Sequence, residues 1–339
     1  MMKMPTNLTR TLALLAILLF LGVIAAILSP LFLRLANIRN LFIQVSFSGI
    51  LAIGMTFVIL TGGIDLSVGS IVGFSSILFA TLLHGSFFTF MPKTIFAYGK
   101  QANALSPLLP LPLDVLSVVI VAALIGLMSG SLSYYLKIHS FIITLGMLFA
   151  VRGLALSYTN GQPLYGAPKF TSFLAYGSIF GLPVTPLLWL LLLAAGAGVL
   201  TFTRYGRRIY AVGGNEQVAR LSGIRPMVYR ITPFLVSGIC AGLVGILMSG
   251  RMGSGDPTIA NGWELDAIGA VVIGGTRLEG GRGSLLGTLI GVLIVGVVTN
   301  AMDLLGMKAY PQQMVKGAMI VGAVALQNVL GSFSRSEAR

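Results

Sequence analysis

Residues 41–84 read LFIQVSFSGILAIGMTFVILTGGIDLSVGSIVGFSSILFATLLH. Two apolar runs, 41–60 and 68–84, flank a polar break, TGGIDLS, at 61–67. A helix needs about 20 apolar residues to cross a bilayer, so the runs read as adjacent membrane spans. The break between them carries Gly62, Gly63, Asp65 and Ser67. A glycine-rich interruption frees backbone carbonyls and amides, which is tolerated in a membrane only where it lines a cavity or packs on protein.

The same texture fills the chain. Of 339 residues, 56% are hydrophobic and 9% charged, against about a quarter charged in soluble domains; mean hydropathy is +0.94. That excludes a soluble enzyme, a disordered protein and a nucleic-acid module. Ten spans are expected: 11–29, 41–60, 68–84, 113–136, 139–158, 182–203, 230–249, 264–275, 284–302 and 312–330. The fold class is an all-α polytopic membrane protein in one transmembrane domain, 1–339. The eighth element is too short to cross alone and reads as a half-helix, a re-entrant piece or a span with an upstream start. Lys3 and Arg10 before Thr11–Leu28 imitate a signal peptide, but no small-residue cleavage site follows, so an uncleaved first span is expected. The segment 85–112 is the longest break.

Net charge is +13. In a chain with this many spans the basic residues sit mainly in loops and orient it. The loop 204–230 holds six arginines and one acid, Glu216, and reads as cytoplasmic, with both termini on the same side. Cys240 is the one cysteine, so neither an intramolecular disulfide nor a cysteine-based zinc site is available. His84 and His139 lack metal-ligand spacing, no P-loop is present, and no catalytic constellation is visible. Intramembrane carboxylates are costly and usually functional. Asp65 reads either as a helix cap or as a pathway residue. Glu264 and Asp266 read either as partners of a helix N-terminus or as pathway polarity.

Residues 267–287, AIGAVVIGGTRLEGGRGSLLG, echo 52–73, AIGMTFVILTGGIDLSVGSIVG. The echo pairs Gly62-Gly63 with Gly274-Gly275 and suggests an internal repeat of the transporter kind. The copies are parallel if the eighth element crosses and inverted if it does not. Small residues at helical spacing, Gly126–Gly130, Gly238–Gly242 and Gly287–Gly291, suit close helix packing within the chain or in a dimer.

Residues 206–230 read GRRIYAVGGNEQVARLSGIRPMVYR. Asn215 can cap a short helix through Glu216, Val218, Ala219 and Leu221, and Gly223 can end it. So short a helix is unstable alone and calls for a partner surface or the membrane interface.

GGIDLSVGS (62–70), AVGGNEQVARLSGI (211–224) and ELDAIGAVVIGGTRLEGGRGSLLGT (264–288) together resemble three ordered signatures of bacterial ABC-importer permeases of the ribose type, a group that includes related branched-chain amino-acid permeases. The resemblance covers about residues 40–330. It implies the membrane subunit of an ATP-driven importer in the bacterial inner membrane that moves a monosaccharide. It also implies a second permease subunit (identical or a paralogue), a separate ATP-binding subunit and a periplasmic sugar-binding protein. This chain would bind no cofactor; ATP and magnesium would sit on the partner. The segment Gly213, Gly214, Asn215, Glu216, Ala219, Arg220, Leu221 and Gly223 would couple to the ATPase. Gly62, Gly63, Asp65, Ser67, Glu264, Asp266, Gly274 and Gly275 would belong to the pathway. The competing readings are an amino-acid permease of the same kind, a stand-alone secondary transporter or channel, and an intramembrane enzyme. The last two predict buried ionisable relays or facing catalytic groups, which the spans do not show.

Overall fold

A computed structural model of the chain describes residues 6–83, 111–165 and 169–336. Each expected span has a helix. In order these are α1 (Thr6–Leu28), α2 (Leu35–Leu60), α3 (Val68–Leu83), α4 (Leu111–Leu136) and α5 (Ser140–Thr159), then α6 (Lys169–Tyr176), an added short helix, and α7 (Val184–Phe202). The basic loop forms α8 (Arg204–Gly214) and α9 (Glu216–Leu221). The chain then runs through α10 (Pro226–Met252), α11 (Trp263–Ile273), α12 (Leu285–Leu304) and α13 (Ala309–Ser336). Seven of the described helices are long and apolar enough to cross a membrane, and Val68–Leu82 is a shorter apolar helix. His84 and most of the break at 85–112 lie outside the described residues.

Burial separates the roles of the spans. The apolar window of α2 is 89% buried, that of α10 is 72%, and that of α1 only 6%. So α2 and α10 form the centre, and α1 presents its side chains outward. The central pair is antiparallel: Arg230 at the start of α10 meets Thr61 just beyond the end of α2, and Arg251 at the other end of α10 stacks over Phe47. Glycines make the neighbouring crossings. Gly126 and Gly130 of α4 rest on the backbone of α10 near Phe234 and Ile231, and Gly238 of α10 rests on Ala122 of α4. Gly287 and Gly291 of α12 rest on Gly274 and Ala270 of α11. All three small-residue pairs serve packing within the chain. Cys240 is buried, beside Gly54.

The eighth element is a half-helix preceded by a non-helical stretch, 253–262. At about 1.5 Å per residue, the 11 residues of α11 cover only about half a bilayer. The stretch before it lies along α3. Gly255 sits on Ser76, Ile77 and Ala80, the Pro257 carbonyl faces Gly73, and the Ala260 carbonyl faces Gly69. The small residues Gly69, Gly73, Ser76 and Ala80 recur at helical spacing on α3 and leave room for that backbone. Its polar groups are satisfied internally, as they must be at membrane depth. The Ser76 hydroxyl accepts from Asp256 N–H. The Arg152 guanidinium, from the middle of α5, donates to the carbonyls of Pro257 and Ile259.

Two structural relations follow. First, α2 and α11 end at the same end of the bundle, because Gly281 N–H, beyond α11, donates to Leu60 O at 2.9 Å. The segments that echo each other in sequence therefore run parallel. Second, the packing of the fold follows a different, inverted repeat: α2–α5 against α10–α13. The pairings α10·α4, α10·α3, α3·α4, α3·α5 and α4·α5 have mates α2·α12, α11·α2, α11·α12, α11·α13 and α12·α13. The turns agree. Gly62 (φ +77°) is matched by Gly253 (φ +68°). Three residues on, Asp65 Oδ1 accepts from the N–H and hydroxyl of Ser67, and Asp256 Oδ1 accepts from the N–H and hydroxyl of Thr258.

Candidate functional site

The basic loop 204–230 folds into a two-helix element at one end of the bundle. α8 begins where the Thr203 hydroxyl accepts from Gly206 N–H, and it buries Gly206, Ile209 and Val212 on one face. Two tyrosines pin it. Tyr205 Oη and Thr232 Oγ1 share a hydrogen bond, and Tyr210 Oη donates to Gly283 O at 3.0 Å. Burial pushes the Tyr210 phenol up from its ordinary value, so it remains a donor at neutral pH. Then α9 starts as expected, with Asn215 Oδ1 accepting from Val218 N–H at 3.1 Å, and Gly223 (φ +78°) ends it. Only Ala219 of α9 is buried. Val218 and Leu221 are 57% and 88% exposed, so the outer face of α9 is apolar and uncovered in the single chain.

The element is bolted to both glycine breaks. Gly213 packs so closely on Leu60 O and Gly281 N that a side chain there has no room, and Gly281 in turn lies on Gly214. Leu60 O accepts from Gly281 N–H, which satisfies a carbonyl that the end of α2 would otherwise leave without a partner. Arg230 makes the second link. Its Nε donates to Glu216 Oε2 at 3.0 Å and its NH1 donates to Thr61 O at 2.6 Å. One guanidinium thus joins α9 to the C-cap of α2. Arg220 also reaches Glu216, at 3.3 Å, but is 64% exposed, and such pairs contribute little. The turn between α4 and α5 faces α9 across a cavity of about 760 Å³ whose floor includes Gly62 and Gly63.

The expected pathway residues divide. Asp65 and Ser67 are fully buried just above the first break, and Asp65 Oδ2 accepts from the Ser237 hydroxyl of α10 at 2.7 Å. Ser67 stands at the cap position, since its carbonyl accepts from Ile71 N–H. Asp65 therefore ties the break to α10 as well as ordering the turn before α3. Glu264 reaches the start of α3, with Oε2 directed at the open position over Gly69. This oxygen is buried and has no hydrogen-bond partner, while Arg152 acts on it electrostatically. Asp266 lies elsewhere, paired with Lys316 of α13 at 2.7 Å. Gly274 lies against Gly287, and Gly275 (φ +91°) turns the chain after α11. Among the described residues no cluster of three or more His, Cys, Asp or Glu could hold a metal ion. The His139 ring nitrogen Nδ1 caps α5 by accepting from Phe141 N–H.

The sequence that builds these features matches a known family over most of its length. The model for "Branched-chain amino acid transport system / permease component" matches residues 37–324. The chain belongs to this permease family. Within it, the chain is 40% identical to the ribose import permease protein RbsC of Bacillus subtilis, over 90% of this chain and 88% of that one. It is 37% identical to RbsC of Escherichia coli, over 93% and 92%. It is 35% identical to the D-allose transport system permease protein AlsC of E. coli, over 88% and 85%. No solved structure matches the chain. The apolar helices and the permease family make it a multi-pass inner-membrane protein.

Sequence reasoning missed four parts of this permease's site. Arg230 was counted only as a loop charge. Arg152 carries a visible signal, a lone arginine inside the apolar run 139–158. The helix α8 occupies a stretch, 204–214, that reads only as basic loop. Gly280 and Gly281 had no signal, because their partners are distant in sequence.

Proposed function

We propose that this chain is the membrane-spanning subunit of an ATP-driven bacterial importer of a monosaccharide. The carrying observation is the bolted element: a short helix with an exposed apolar face, linked through Arg230 and Gly213 to the breaks in the spans. The sugar assignment is supported by relatives whose names specify ribose import and D-allose transport. In this reading the basic loop 204–230 faces the cytoplasm and both termini lie on that side. A pair of such permeases, identical or paralogous, forms the pathway, and a periplasmic binding protein delivers the sugar.

The segment Gly213–Gly223 docks a separate subunit that holds ATP and magnesium; this chain supplies no group to hydrolysis. Closure of the ATP-binding subunits moves α9 as a rigid body. The Glu216–Arg230–Thr61 link carries that motion to the C-cap of α2, and the Gly213–Leu60–Gly281 contact carries it to the break after α11. Asp65, Ser67 and Glu264 lie where the half-helices α3 and α11 begin, and they contribute the polarity of the pathway. Nucleotide and sugar drive the cycle only because they bind the two states differently.

The test is a pull-down of the tagged chain from native membranes in mild detergent, with partners identified by mass. An ATP-binding subunit is expected in the complex. A chain that purifies alone and moves solute in liposomes without ATP overturns the reading.

A further inference from the structure

The docking helix α9 does not stand by itself. Across the 760 Å³ cavity it faces the α4–α5 turn, so that Glu216 and Arg220 form one wall and Tyr134, Lys137 and His139 form the other. The cavity is cationic. Lys137, Arg220 and Arg230 line it against a single carboxylate, Glu216, which is already held by both arginines. Among the described residues Lys137 is the lining cation with no such partner, and its backbone sits in the left-handed region at φ +56°. That conformation favours glycine, yet a long cationic side chain occupies it.

The rim is apolar on both sides. Tyr135 and Leu136 are 62% and 56% exposed, as the face of α9 is through Leu221. Tyr135 Oη touches Met227 Sδ at 3.5 Å, which joins the turn to the start of α10. Exposed apolar side chains gathered in one patch mark an interaction surface, and a cationic cavity enclosed between them calls for an acidic occupant rather than lipid tails.

We propose that the docking surface is composite, with the α4–α5 turn as its second wall, and that the cavity between the walls receives a carboxylate-bearing loop of the ATP-binding subunit. The identity of the occupant rests on the proposed function; the geometry of the surface does not. Two observations point to this occupant. Glu216 and Arg220 belong both to α9 and to the cavity wall, so whatever covers α9 also reaches the cavity. The cationic lining selects an acidic group, and complementary charge of this kind sets register and association rate more than bulk affinity.

The experiment uses the complex of this chain with its ATP-binding subunit, purified from membranes, in a Cys240→Ser background. Single cysteines replace Val218, Lys137 and, as a control remote from the loop 204–230, Leu191 in the middle of α7, which is 66% exposed. Each carries a photoactivatable thiol-reactive cross-linker. Capture of the ATP-binding subunit from both Val218 and Lys137, and not from Leu191, is expected. Capture from Val218 with only lipid captured from Lys137 overturns the composite surface and leaves the proposed function standing. Capture from neither overturns both. In the chain with native Lys137 as reference, Lys137→Glu is expected to reduce the bound ATP-binding subunit about tenfold in low salt, with the difference shrinking as salt rises. Lys137→Gly, which suits the backbone and removes the charged side chain without reversing its sign, is expected to lose binding as well. Undiminished binding by that variant overturns the role of the charge.

Discussion

Arg230→Gln tests the link between α9, the proposed docking helix, and the broken spans. The side chains of Arg230 and Glu216 are 34% and 30% exposed. Their ion pair is therefore partly screened and contributes about 1 kcal/mol. The bond from the guanidinium to Thr61 O is charge-assisted, and bonds of this kind contribute about 1.5–3 kcal/mol. Together they hold α9 to the end of α2 by about 2.5–4 kcal/mol. Glutamine keeps one neutral donor, so about 2 kcal/mol or more of that hold is lost. At about 1.4 kcal/mol per factor of ten, the linked arrangement becomes more than tenfold less favoured.

The exposed face of α9 is left unchanged, and two of the three cavity cations, Lys137 and Arg220, remain. The ATP-binding subunit should therefore still co-purify and hydrolyse ATP, while sugar moved per ATP hydrolysed in proteoliposomes falls at least tenfold. Arg230→Lys should fall between the two, because an ammonium cannot span both acceptors as a planar fork does. Arg225→Gln is the control, since Arg225 precedes α10 without a side-chain cap bond. An unchanged ratio of sugar to ATP in Arg230→Gln refutes the transmission argument. Loss of ATPase co-purification instead assigns Arg230 to docking.

Three further outcomes are expected. Asn215→Ala removes the cap of α9, costs about 1 kcal/mol and should weaken co-purification of the ATP-binding subunit about fivefold, with the thermal stability of the bundle unchanged. Asp65→Ala leaves the hydroxyls of Ser67 and Ser237 without their buried acceptor, at about 1–3 kcal/mol; a double-mutant cycle with Ser237→Ala in a detergent thermal melt should show coupling of about 1 kcal/mol or more, and transport per folded molecule should fall as well. Arg152→Met strips the donors from the Pro257 and Ile259 carbonyls, so amide hydrogen exchange across 254–266 should accelerate at least tenfold while that of the α2 core stays slow.

Much of this protein was legible from residue order. The apolar runs placed a helix at each of the ten expected positions, and seven of the described helices are long and apolar enough to cross, because hydrocarbon demands a long run of apolar side chains whatever its neighbours are. The short helix α9 was legible because its cap, Asn215, and its stop, Gly223, act locally. The three motifs led to the permease family. Tertiary structure decided what depends on partners remote in sequence. The literal echo between 52–73 and 267–287 pointed to a repeat, but packing pairs α2–α5 with α10–α13, and the true mates share only a glycine, an aspartate and a hydroxyl residue at fixed spacing. Trp263 opens α11 beside Phe47, 6.4 Å between rings, because a non-helical stretch carries α11 into the bundle. That stretch can run there only because Arg152, more than a hundred residues away, satisfies its carbonyls. Arg230 and Gly281 acquire their roles in the same way. A helix end leaves carbonyls that some donor must meet, and only the folded chain determines which donor arrives.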